Sequence, residues 1–182
     1  MKPKSVDPLK LIVGLLSNQH RTFSRVRELL ERRYGEIDFA SSIMDFSHTR
    51  YYEKELGTEL KRIFFTFKKP LKSENLFKIK LHTRKLESLF LNENNRQVNI
   101  DPGYLALDKM VLFTAKNYGH RIYLGRGIFA ESTLKYENNT FAPWPWTFPD
   151  YKTTSYIKFF NKVRQAYREE ISSKQKRVKA CA

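Results

Sequence analysis

One cysteine, Cys181, stands beside the last residue of this 182-residue chain, so no intramolecular disulfide can form and no thiolate set can bind zinc. A reducing compartment is the expected setting. His20, His48, His82 and His120 are never three to five residues apart and have no neighbouring cysteine, which argues against a structural zinc site. Long apolar runs are missing too. The longest near the amino end, Leu11 to Leu16, is too short for a signal sequence or a membrane span, and Met1 to Asp7 is polar. We therefore expect a soluble, cytoplasmic protein with no membrane partner. There is no G-x-x-x-x-G-K-[ST] phosphate loop, no G-x-G-x-x-G, no nucleophile elbow and no H-E-x-x-H, and His20-Arg21-Thr22 is the only H-x-T triplet. The NTPase, dehydrogenase, α/β-hydrolase and paired-histidine phosphoesterase classes thus lack their chemistry.

Acidic residues are scarce. Nineteen Asp and Glu face 34 Lys and Arg, giving a formal charge of +15 and a pI near 9.9, a balance that favours polyanionic partners. The excess is clustered: from Lys61 to Lys85 there are nine Lys or Arg with Glu74 as the one acid. Residues 172–182 add Lys174, Lys176, Arg177 and Lys179 with no acid, and are expected to form a basic, disordered tail. That leaves 1–171 as a single domain, for which 41% hydrophobic and 14% aromatic residues supply a core.

Periodicity sets the order of elements. Leu9 to Leu16 reads as a buried strand, and from Ser24 the apolar Val26, Leu29, Leu30 and Tyr34 recur at helical spacing before Gly35, a helix with its glycine cap. Ile37 to Phe46 and Lys61 to Lys68 read as strands, the second closed by Pro70. Ser47 to Leu60, between them, is a functional cover or a short surface helix. A helix over Ser73 to Leu91, capped by Ser73 with Leu86, Leu89 and Phe90 inward, a turn at Asn92 to Asn95 and a strand from Gln97 to Asp101 complete a ferredoxin-like βαββαβ core of an α+β protein. The extension is expected to be a helix over Pro102 to Asn117 ended by Gly119, an antiparallel β-hairpin/meander across Gly125-Arg126-Gly127, and a C-terminal helix marked by Tyr156, Phe160, Val163 and Tyr167. Pro143-Trp144-Pro145-Trp146 is expected to be an extended strap packed on the sheet, with docking of a partner as the alternative.

Polar residues gather at glycine corners between Asn99 and Asp150. Asp101-Pro102-Gly103 fits a helix start with Asp101 as cap and Pro102 at the first position; the competing reading leaves the N–H groups of that start to face a phosphate, a site that an Asp101 cap would partly block. Strand alternation puts Arg121 and Glu131 on one face beside Tyr123 and turns His120 to the other. The candidate catalytic residues are Asp101, His120, Arg121 and Glu131. Gly103, Tyr104, Tyr123, Arg126 and Asp150 are candidate ligand contacts, and Lys69, Lys80, Arg84 and Lys85 candidate nucleic-acid contacts. No cofactor is expected, while Mg²⁺ held by Asp101, Glu131 or Asp150 stays open.

Val13-Gly14-Leu15-Leu16, Tyr51-Tyr52 with Glu55 and Gly57, Asn99 to Leu105, His120 to Ile128, Glu131 with Thr133, Trp146 to Tyr151 and Tyr156 to Arg164 together carry a resemblance. On these segments the chain resembles a prokaryotic family catalogued as domain of unknown function 4416. The resemblance implies that the Tyr51 loop, the Asp101 turn, the His120 hairpin and the Asp150 turn belong to one shared design, and it implies no particular activity. Together these readings predict a protein that binds a phosphate-bearing ligand, nucleic acid or nucleotide, through a basic surface and a polar site. The alternative is an enzyme acting on a phosphorylated small molecule, with Asp101 or Glu131 as base, His120 as acid/base and Arg121 as anion stabiliser.

Overall fold

The structure, a computed structural model, describes the backbone of residues 8–180; the polar amino end to Asp7 and Cys181 lie outside the described residues. In chain order the elements are β1 (Lys10–Ser17), α1 (His20–Tyr34), β2 (Ile37–Ala40), β3 (Met44–Asp45), α2 (Glu53–Leu56), β4 (Lys61–Phe67), α3 (Phe77–Ser88), β5 (Leu91–Asn92), β6 (Asn95–Arg96), β7 (Asn99–Leu105), β8 (Lys109–Thr114), β9 (Ile122–Gly125), β10 (Ile128–Glu137) and β11 (Thr140–Pro143), then a 3-10 turn (Pro149–Lys152) and α4 (Thr154–Ala180). Residues 172–180, set apart in the sequence as a tail, continue the backbone of α4.

The main sheet runs β11-β10-β8-β7-β1-β4-β2, and neighbouring strands are antiparallel. Its β7-β1-β4-β2 portion is the ferredoxin-like order. Alternation sorts the side chains between two layers. Leu11, Val13 and Leu15 of β1, with Ile63, Phe65 and Phe67 of β4, meet Phe23, Val26 and Leu30 of α1 and Ile79 and Leu86 of α3. Ile12 and Phe64 point the other way and join Tyr156, Phe160, Val163 and Tyr167 of α4. Each large apolar side chain so buried contributes roughly 2 kcal/mol. β1 is therefore buried along its whole length, covered on both faces.

α1 ends where Gly35 takes φ 93° and returns its N–H to the Glu31 carbonyl. α3 is shorter than its pattern suggested: it begins at Phe77 without a side-chain cap from Ser73, and Leu89 lies exposed past its end, while Leu86 and Phe90 are buried. Glu93 and Asn94, both at positive φ, then turn the small β5–β6 hairpin.

The helix expected over Pro102 to Asn117 is instead two strands, β7 and β8. Met110 and Leu112 of β8 face α4 while Val111 and Phe113 face the α1/α3 layer. A strand buried on both faces carries no polar alternation, so its sequence matches that of a buried helix. The Asp101 cap and its helix N-terminus therefore do not exist. Pro143 closes β11, and the strap is a turn rather than extended, with the Thr147 N–H donating to the Trp144 carbonyl at 3.1 Å. Both indoles bond back to β10, Trp144 Nε1 to Ser132 Oγ at 3.3 Å and Trp146 Nε1 to the Ser132 carbonyl at 2.9 Å.

Gly103 is the point of closest approach between β7 and β8. A Cβ there would lie 2.1 Å from the Val111 carbonyl oxygen and 3.0 Å from the Leu112 Cα. The clash is with the backbone of β8, which leaves little room to relax, so Gly103→Ala is expected to cost about 3 kcal/mol of stability in urea unfolding; a loss under 0.5 kcal/mol would show that the two strands separate easily.

Candidate functional site

A cleft of about 810 Å³ opens at the end of the sheet where β1 finishes, β4, β7 and β10 begin, and β8 finishes. Its cause lies in β7. The β7–β8 ladder spans only Gly103 to Leu105 against Leu112 to Met110. Nearer the cleft, the Ile100 N–H donates to Glu87 Oε1 and the Ile100 carbonyl accepts from Lys80 Nζ, each at 2.7 Å, so Ile100 directs its backbone away from β1. Pro102, two residues on, directs its backbone the same way and has no N–H to offer β8. The strands part there, and α3 supplies the missing hydrogen bonds.

The cleft wall is an ionic chain. Arg62, only 2% exposed, donates from Nη1 to Asp101 Oδ2 at 3.0 Å and from Nη2 to Asp150 Oδ2 at 3.4 Å. Asn99 Nδ2 donates to the same Asp101 oxygen at 2.7 Å, and Lys80 Nζ lies 3.8 Å from its other oxygen. Gly14 makes room, since a Cβ there would meet the Phe64 ring at 2.9 Å and Arg62 Nη1 at 3.2 Å. Arg96 continues the chain to Glu55 Oε2 at 2.7 Å, Glu87 Oε2 at 3.1 Å and Asn99 Oδ1 at 3.2 Å.

The two central carboxyls are displaced in opposite directions. Burial raises Asp150, with Arg62 opposing and Asp101 reinforcing. Burial pushes Asp101 up as well, but Lys80 and Arg62, with hydrogen bonds from Arg62 and Asn99, outweigh it and leave its carboxyl below the usual value. The hydrogen bond from Arg96, the largest influence on Glu55, lowers that carboxyl. Burial, first, and Asp101 raise the Tyr52 phenol, and burial raises those of Tyr151 and Tyr156, the last to about 12.

Glu131, 1% exposed, organises a second group on the same cleft. Its Oε2 accepts from Arg121 Nε at 2.7 Å and lies 3.0 Å from His120 Nε2. The expectation that His120 and Arg121 face opposite sides is corrected: β9 begins at Ile122, and the pair occupies a turn in which the Arg121 N–H donates to the Tyr118 carbonyl, so strand alternation does not govern them. His120 sits in a ladder of rings, Trp144 on Trp146 at 5.2 Å, Trp146 on His120 at 5.1 Å and His120 on Tyr118 at 6.1 Å, with interplanar angles of 8°, 16° and 5°.

Of the residues singled out in the sequence, Asp101, Arg121, Glu131, Asp150, Lys80 and Arg84 line this cleft, and His120 joins it through Glu131. Gly103 and Tyr104 are in the sheet ladder below it. Tyr123 pairs with Phe129 on the exposed hairpin, Arg126 turns that hairpin at φ 52°, and Lys69 and Lys85 are exposed outside the cleft lining. Lys80 is buried rather than a surface contact. The glycine corners thus do not rim the cavity; Gly125 lies beside the Phe77 ring. Sequence reasoning passed over Arg62, Arg96, Asn99 and Lys116 as site residues. For Arg62 the signal was present, because it shares strand parity with Phe64 and Thr66 and so must point inward.

Among the described residues, no group of three or more His, Cys, Asp or Glu is placed to hold a metal ion, and no helix is long and apolar enough to cross a membrane. The molecule is an α+β protein with a ferredoxin-like sheet split by a charged cleft. The chain belongs to the family described as domain of unknown function (DUF4416), whose model matches residues 7–167 and so spans every residue of the cleft. No curated protein and no solved structure matches it.

Replacing Arg62 by Met strands Asp150 in the cleft wall and leaves Asp101 with Lys80 as its one cation, and the expected cost is about 3–5 kcal/mol at pH 7. Protonation relieves carboxylates left without their cation, so the deficit against the parent protein shrinks as pH falls toward 4. In the parent, the lowered Asp101 contributes stability above its unfolded pKa of about 3.9 that is lost as pH falls through the folded value. The raised Asp150 acts in the opposite sense, costing stability as pH rises through its folded value. Thermal unfolding from pH 4 to 8 checks this; a deficit independent of pH would mean that only packing had been lost.

Proposed function

We propose that the cleft binds a nucleotide-type ligand, carrying a phosphate and a flat ring. What supports this is that cations not neutralised by protein carboxylates and exposed aromatic rings share one opening. Among the described residues neither Arg84 nor Lys116 has an ion-pair partner, and the Lys116 ammonium meets Tyr51, at 2.7 Å from its hydroxyl and 4.2 Å from its ring centroid. Both residues line the cleft with Tyr51, Tyr118 and Phe148, which are 63%, 55% and 47% exposed. Such rings offer stacking faces, and Arg84 and Lys116 offer charge-assisted donors to phosphate. Asp101 Oδ1, whose sister oxygen is held by Arg62 and Asn99, is the acceptor for a ligand hydroxyl or N–H.

Acid–base chemistry on that ligand is the second reading. The opposite displacement of the Asp101 and Asp150 carboxyls favours it, one group kept ionised and the other more readily protonated. Arg121, fixed by Glu131, would stabilise developing negative charge.

Isothermal titration of the protein with AMP, GMP and UMP tests the first reading. At least one should bind with micromolar affinity. Lys116→Ala and Arg84→Ala should each weaken it about tenfold or more, the scale of a lost charge-assisted hydrogen bond, and Tyr51→Ala about tenfold through lost stacking. Arg126→Ala, on the hairpin turn, should leave it unchanged. Absence of binding of all three at millimolar concentration would reject the reading.

A further inference from the structure

The outer faces of α1 and α3 carry a charge excess that the cleft does not use. Leaving aside Arg84, which lines the cleft, they expose seven Lys or Arg against Glu28 and the half-buried Glu31, and Glu31 is already paired with Arg27 at 3.4 Å. Apart from that pair, none of these cations forms an ion pair with a carboxylate among the described residues, so their mutual repulsion is little offset. They also lie close together. Tyr34 Oη and His82 Nδ1, 2.9 Å apart, tie the two helices side by side, and Arg33 and Lys85 both act on the His82 ring, whose pKa is lowered by burial and then by these two charges. Lys69 adjoins the end of α1, its Cβ 3.7 Å from where a Gly35 Cβ would stand, and the Arg25 guanidinium lies over the Phe90 ring, 5.5 Å from its centroid, beyond the other end of α3. Arg84, one residue before Lys85, turns into the cleft.

We infer that the paired helices form a track for the sugar–phosphate backbone of a single-stranded nucleic acid, one nucleotide of which enters the cleft. This rests on the reading of the cleft as a nucleotide site and names its ligand as a strand. Phosphates need only uncommitted Lys and Arg along the path, which Lys69, Arg33, Lys85 and Arg25 provide, and Arg84 joins the path to the rings of the cleft. A membrane surface fits less well. The apolar residues of α1 and α3 are committed to the sheet, and the exposed large hydrophobics in and just beyond α3 are only Leu89 and Leu91, with no aromatic to insert.

The test uses a fluorescein-labelled 12-mer of riboadenylate, free AMP and vesicles containing phosphatidylserine, with the parent chain, Lys116→Ala, and the exposed triple variant Arg25→Glu/Arg33→Glu/Lys85→Glu, its fold checked by circular dichroism. The 12-mer should bind far more tightly than AMP. The triple variant should lose about 100-fold for the 12-mer, lower its log–log salt slope by about 2, given about 0.7 per phosphate on a single strand, and bind AMP unchanged. A folded triple variant that holds the 12-mer as tightly as the parent, a 12-mer bound no better than AMP, or preferential binding of the vesicles would overturn the track. Failure of AMP to bind, with the 12-mer insensitive to Lys116→Ala but sensitive to the triple variant, would instead reject the cleft as a nucleotide site and leave the track as a bare backbone-binding surface.

Discussion

Much of this architecture depends on one hydrogen bond that cannot form. Pro102 sits on the side of β7 that faces β8, with no N–H, so the ladder stops at Gly103 and the two central strands diverge. Ile100, just above, would then leave a buried N–H and carbonyl without partners, at about 1–3 kcal/mol each. Glu87 and Lys80 of α3 fill those positions. A helix that has to supply two side chains to one peptide unit cannot slide, so the same proline that opens the cleft also fixes α3 beside it.

The ionic chain follows from that choice. Glu87 brought inward needs a cation, which Arg96 supplies, and Arg96 in turn holds Glu55 of the covering loop. Asp101 and Asp150 are balanced by Arg62 and Lys80. Ion pairs of this kind contribute little net stability, because desolvation offsets attraction. Their effect here is geometric: β4, β7, α3, the loop before β4 and the 3-10 turn all meet at charges whose separation would be costly.

Legibility in the sequence follows the same physics. α1 was readable by its helical period and glycine cap, the hairpin by Gly125-Arg126-Gly127, and β1 and β4 as short apolar runs bounded by turn residues and Pro70. Of the two readings of Ser47 to Leu60, the short helix is present as α2 (Glu53–Leu56). β8 was not, because burial on both faces removes alternation, and Pro102 marks a strand edge as readily as a helix start. The basic run from Lys61 to Lys85 was visible as charge but not as placement. The helical rotation of about 100° per residue turns Lys78 and Lys85 outward, Arg84 to the cleft mouth and Lys80 into the sheet, while strand parity sends Arg62 inward. Linear clustering therefore mixed structural cations with free ones.

That separation bears on the ligand. In the cleft lining, Arg62, Lys80, Arg84, Arg96, Lys116 and Arg121 face Glu87, Asp101, Glu131 and Asp150, an excess of two positive charges, and the two cations without carboxylate partners are Arg84 and Lys116. A terminal phosphate carries about −1.5 to −2 at neutral pH. One such group would neutralise the opening, whereas a second would enter with its charge unmatched by the lining and would need cations from elsewhere. The outer faces of α1 and α3 carry such cations, so a ligand with several phosphates would match its charge by leaving the cleft across Arg84.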